Sequence, residues 1–147
     1  LEANLALNDL DNVVIVPAAA GSAPGETVLH VPATPDPSFS SLEAGRFSEG
    51  EPVPVRMTTV DDEVDAAGLK PAVVKIDVEG GELDVVAGMR RVLDLRPLLI
   101  VEVSESSGAE LQRRLAERGY EAFRVTGRKL TPGLRGTGLF NAVFRPR

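Results

Sequence analysis

The sequence predicts a mixed α/β fold. Three observations predict it. The length of 147 residues suits one domain spanning 1–147. Residues 72–103 read as strand, helix, strand. A short continuous apolar run, Val13-Val14-Ile15-Val16, suits a strand buried on both faces of a parallel sheet.

Each element follows from local chemistry. Leu1 to Asn8 reads as the end of a helix, because Ala3, Leu5, Ala6 and Leu7 are strong helix formers and Asn8-Asp9 is a stop. Val13–Val16 is the first strand. Thr27–Val31 is a short strand between Pro24-Gly25 and Pro32, and a long loop with little periodicity runs from Pro32 to Gly50. Val53, Val55 and Met57 alternate, which predicts an edge strand with Pro54 on its open side. Thr59 or Asp61 caps a helix to about Ala67, with Asp61, Asp62 and Glu63 at its positive end and Gly68 after it.

The second half is more regular. Ala72–Val78 is a strand, Glu79-Gly80-Gly81 a tight turn and Glu82–Asp94 a helix, which Arg96-Pro97 ends. Leu98–Val103 closes a β-α-β unit, whose crossover is expected to be right-handed with parallel neighbours. Ser107-Gly108-Ala109-Glu110 has capping-box spacing and starts a helix to Arg118, with Gly119 past its end. Tyr120–Val125 and Leu139–Phe144 are the last strands, joined by the Gly-rich stretch 126–138 as a hairpin.

Composition narrows the chemistry. The chain has no Cys and one His, which removes thiolate metal sites, cysteine nucleophiles and multi-histidine zinc sites. A net charge of −6 argues against a nucleic-acid partner. Acids dominate residues 1–70 (12 against 3 bases), whereas residues 71–147 hold 13 bases against 10 acids. No apolar run approaches the ~20 residues of a membrane span and no signal peptide is visible, so a cytoplasmic protein without a membrane partner is expected. Neither a G-x-S-x-G elbow nor a phosphate-binding glycine loop occurs.

The segment Lys75-Ile76-Asp77-Val78-Glu79-Gly80-Gly81-Glu82 is the most informative. It is expected at the carboxyl end of a buried strand, where ligands bind in open α/β sheets. Alternation puts Lys75, Asp77 and Glu79 on one strand face. Charges there are costly without partners or a task, and the glycines admit a close backbone or ligand. The alternative is a Lys75–Asp77 ion pair followed by a helix-start turn. Glu102 ends the next strand at the same rim, as a base, a substrate anchor or a turn cap. Asp77-x-Glu79 also offers oxygens for Mg²⁺ or Mn²⁺. His30 reads as surface or core filler, or as a substrate contact. Thr59-Val60-Asp61 reads as a cap or as part of the site lining.

Taken together, Leu1–Val13, Val55 to Asp62, Val74–Glu82, Arg96-Pro97 to Glu102, Gly119-Tyr120 and Leu139-Phe140-Asn141 resemble the FkbM family of methyltransferases. The resemblance implies a Rossmann-like class I methyltransferase sheet, mostly parallel, with an antiparallel C-terminal strand pair. It implies S-adenosylmethionine as methyl donor, with Mg²⁺ as a further option, and a hydroxyl of a sugar or natural product as acceptor. Asp77 becomes the base or metal ligand near donor and acceptor, oriented by Lys75 and Glu79. Ala18 and Ala19 would lie by the adenine, and Glu102 and His30 would contact the substrate. A homo-oligomer is compatible with this. The family's upstream glycine-rich turn and ribose-holding acid have no counterpart, so the chain is expected to be the C-terminal portion of such a domain, with an exposed apolar edge beside 13–16. Rival readings are a metal-dependent glycosyltransferase using Asp77 and Glu79, and a non-catalytic interaction module.

Overall fold

The computed structural model describes residues 1–32, 50–78 and 80–147. The expected 32–50 loop therefore lies mostly outside the described residues. The chain begins with helix α1 (Glu2–Leu7), none of whose residues is buried. Strands β1 (Ala19–Ala20), β2 (Gly25–Pro32) and β3 (Gly50–Thr58) form a three-stranded sheet in the order β1-β3-β2. Helix α2 (Val60–Ala66) follows, capped by the Thr59 hydroxyl, which accepts from the Asp62 N–H at 3.0 Å.

The second sheet has five strands: β4 (Val73–Ile76), β5 (Leu98–Val103), β6 (Tyr120–Thr126), β7 (Lys129–Pro132) and β8 (Phe140–Pro146), ordered β4-β5-β8-β6-β7. Helices α3 (Glu82–Ala87) and α4 (Arg90–Asp94) connect β4 to β5, and α5 (Glu105–Glu117) connects β5 to β6. Along β5, Leu99, Val101 and Val103 are buried while Leu98, Ile100 and Glu102 are only half-buried. The buried set packs with Val85, Val86, Met89, Leu93, Leu111 and Leu115 of the helices, together with Phe144 and Ala142 of β8. Helices thus cover one face of this sheet, as strand alternation requires when one face is buried.

The expected mostly parallel, Rossmann-like sheet is not what forms. Of the six strand pairs among the described residues, only β1–β3 and β4–β5 are parallel. The β-α-β unit is present, with Ile76 opposite Val101. The next crossover, through α5, also delivers β6 parallel in direction to β5. But β8 then slots between them, antiparallel to both, and converts one prospective parallel pair into two antiparallel ones.

Other expectations change for local reasons. Val13–Val16 is not a strand: the place beside β3 goes to Ala19–Ala20, while Val14 lies 83% exposed. The expected apolar exposure at 13–16 is there, but on irregular chain. The 53–57 strand is longer and lies inside its sheet, although β1 reaches only Met57 and Thr58. Thr58 points its carbonyl at Gly21 on the β1 side, so by alternation the imide nitrogens of Pro52 and Pro54 face that side beyond the reach of β1. The 72–78 strand is not the buried strand expected; β4 is an edge strand, with Val73 52% exposed. The 82–94 helix breaks in two at Gly88-Met89. The capping box is Ser104 with Ser107, three residues ahead of the expected one. An extra strand, β7, pairs with the outer side of β6, although β6 and β8 do pair antiparallel as expected.

Several contacts join the small sheet and α2 to α3 and α4, the following two among them. Gly21 and Gly88 touch so closely that a Cβ on Gly88 would sit 2.0 Å from the Gly21 carbonyl oxygen. The Asp61 carboxylate accepts from the N–H groups of Arg91 and Val92, the first turn of α4, at 3.0 and 2.9 Å.

Candidate functional site at the carboxyl ends of strands β4 and β5

Parallel pairing brings the carboxyl ends of β4 and β5 to one rim. Ile76 lies opposite Val101, so the next residues out, Asp77 and Glu102, are level with each other. Glu102 in turn lies opposite Asn141 at the start of β8. The rim therefore carries two carboxylates and a carboxamide on three adjacent strands.

Lys75 and Asp77 form an ion pair through Nζ and Oδ2, with both side chains about half exposed (54% and 52%). The high cost expected for charges in a buried strand does not arise, because this face of β4 is open. An exposed pair of this kind contributes little to stability, on the order of 0–1 kcal/mol. Its contribution is to hold the Asp77 carboxylate at the rim. Glu102 is half-buried. Glu79 lies outside the described residues.

The turn after β4 is built on glycine. Gly80 adopts φ +88, a left-handed conformation that favours glycine. Its N–H donates to the Val78 carbonyl at 2.9 Å and to Glu82 Oε1 at 3.2 Å. Glu82 is 2% exposed, and its Oε2 has no hydrogen-bond partner among the described residues. A buried carboxylate oxygen with an open acceptor position is costly unless a donor reaches it. In the sequence Glu82 reads only as a helix-start residue. Its position five residues after Asp77, beyond two glycines, is the signal that it belongs to the same turn.

The remaining expected residues fall elsewhere. Ala18 is half-buried, and its N–H donates to the Val16 carbonyl at 2.8 Å. Ala19 pairs with Met57 in β1. Beside them a cavity of about 230 Å³ is lined by Val14, Val16, Ala20, Thr58 and Val64. Its wall is largely aliphatic. His30 belongs to β2, opposite Pro52, in the sheet that does not contain Asp77 and Glu102; its side chain lies outside the described residues. Asp61 is a structural cap and not part of the rim. Among the described residues no group of three or more His, Cys, Asp or Glu is placed to hold a metal ion, so the Mg²⁺ option finds no donor set there. No helix among them is long and apolar enough to cross a membrane.

A family model described as "Methyltransferase FkbM domain" matches residues 1–122, which include the rim residues of β4 and β5 and the turn between β4 and α3. No curated protein and no solved structure matches the chain.

Proposed function

The chain belongs to the FkbM methyltransferase family, and from that premise we propose that it transfers a methyl group from S-adenosylmethionine to a hydroxyl oxygen of a sugar or natural product. The observation that carries the reading is the placement of Asp77 and Glu102, level with each other at the carboxyl rim, within the residues the family model matches.

Bound S-adenosylmethionine would supply a methyl group on a positively charged sulfur, which leaves as a neutral thioether. Small, half-buried Ala18 and Ala19, with the aliphatic cavity beside them, fit its adenine. Asp77 accepts the proton of the acceptor hydroxyl as its oxygen forms the new bond to carbon, so the proton ends on an Asp77 oxygen. Lys75, ion-paired to Asp77, fixes the direction of that carboxylate, and Glu79 is assigned the same orienting role. Glu102 accepts from a second donor of the acceptor molecule, and His30 is assigned a substrate contact. Holding oxygen and methyl carbon in line supplies much of the rate enhancement.

Isothermal titration of the protein with S-adenosylmethionine is expected to show saturable binding; no binding would sink the proposal. Asp77→Asn is expected to slow methyl transfer from labelled S-adenosylmethionine into a pool of hydroxylated small molecules by about 10²–10⁴-fold. The same variant should leave the urea midpoint nearly unchanged, because the pair it breaks is exposed. Undiminished transfer would remove Asp77 from the mechanism.

A further inference from the structure

A cavity of about 460 Å³ lies between the first half of α5 and the loop that joins β7 to β8. The loop is fastened at three points, the first being the Gly133 N–H, which donates to the Ala122 carbonyl at 2.8 Å. The Leu134 N–H donates to Gln112 Oε1 at 3.2 Å, and Arg124 Nη1 donates to the Arg135 carbonyl at 2.7 Å. The same Arg124 guanidinium stacks on the Phe140 ring, 3.9 Å from its centroid. Gly136, at φ +140, lies against it so closely that a Cβ there would fall 1.3 Å from Arg124 Nη1. The loop is thus held against β6, and the positive φ at 136 favours glycine there.

The charged groups that line this cavity are of opposite sign and uncommitted. Glu105 and Arg135 are both exposed, and neither makes an ion pair or side-chain hydrogen bond among the described residues. Gln112 adds an amide and Phe140 an aromatic surface. An anionic ligand would meet Glu105, a cationic one Arg135, and a purely apolar one would strip water from both without replacing it. A neutral molecule with several hydroxyls accepts from the guanidinium, donates to the carboxylate, and sets its carbon-bound hydrogens against the ring.

Position connects the cavity to the rim. Ser104 in its lining is two residues past Glu102, and Phe140 precedes Asn141, the residue opposite Glu102. We propose that this cavity binds the acceptor, a neutral polyhydroxylated small molecule such as a glycoside, and presents one of its hydroxyls over the sheet end to Asp77. The fate of that hydroxyl rests on the methyl-transfer reading; the binding does not.

Saturation-transfer NMR tests this with methyl β-D-glucopyranoside, methyl α-D-mannopyranoside and methyl α-L-rhamnopyranoside as probes, and with glucuronate and glucosamine as charged controls. At least one neutral glycoside is expected to bind in preference to both controls. Arg135→Ala and Glu105→Gln are each expected to weaken that binding about tenfold or more, the effect of losing a hydrogen bond to a charged group. Their thermal midpoints should match the parent, since both side chains are exposed. Absence of binding by all three neutral glycosides, stronger binding of a charged control, or binding unchanged in both variants would overturn the proposal. Titration with S-adenosylmethionine separates the two readings: glycoside binding without it leaves the cavity assignment standing and removes methyl transfer. Binding of S-adenosylmethionine without any glycoside does the reverse.

Discussion

Asp61 belongs to the first turn of α2, yet its carboxylate serves α4, thirty residues on, by accepting two main-chain N–H groups. It is 6% exposed, so water does not substitute for it. Asp61→Ala is expected to cost about 2–3 kcal/mol, the sum of a lost cap and unsatisfied buried donors. The measurement is a lower urea midpoint at unchanged slope, with Asp61→Asn recovering part of the loss. Glu110 shows the opposite case, an exposed carboxylate whose effect is a pH profile. Hydrogen bonds from Arg113, then Arg114, hold it down to about 2, from an ordinary 4.5. A carboxylate depressed in the folded state stabilises that state above its unfolded value, and the contribution is lost as pH falls through the folded one. Glu110→Gln should therefore lower the urea midpoint at pH 7, and the gap to the parent should close as pH falls from about 4.5 to about 2.

At the scale of elements, the joint between α3 and α4 depends on Gly88. Its Cα faces the Gly21 carbonyl, and main-chain atoms cannot swing aside as a flexible side chain can. Gly88→Ala is expected to cost about 1–3 kcal/mol, read as a lower thermal midpoint. This joint also shows where sequence reading stops. The apolar spacing Leu83, Val86, Leu93 marks helix correctly, but the helix breaks at Gly88, where the chain lies against Gly21, sixty-seven positions away, a contact that no local pattern encodes. The same holds for Val13–Val16: its composition suits a strand, and the place in the sheet goes to two alanines with weak strand preference. The β4-α3-α4-β5 unit was legible because turn, period and strand signals agree there. Asp77 and Glu102 at one rim followed from that unit alone. The burial of Glu82, the cavity behind α5 and the position of β8 all depend on packing between distant segments.

The whole molecule is uneven in its packing. Apart from Thr58 at the end of β3, the described residues of the three-stranded sheet contribute little to the buried core, which gathers around α3, α4, α5 and the large sheet. Native-state hydrogen exchange should resolve this as two levels. Amides of Val101, Ala142 and Phe144 are expected to exchange only through global unfolding, and those of Thr27, Leu29 and Val55 through a smaller opening. Equal opening free energies for both sets would contradict that division. The position of β8 has a consequence for how the chain comes into being. It is synthesised after every strand it joins, yet it lies between β5 and β6 and hydrogen-bonds to both. Until it leaves the ribosome, β5 and β6 each present an unfilled side, so the nascent chain carries its most aggregation-prone surfaces at the centre of its future core.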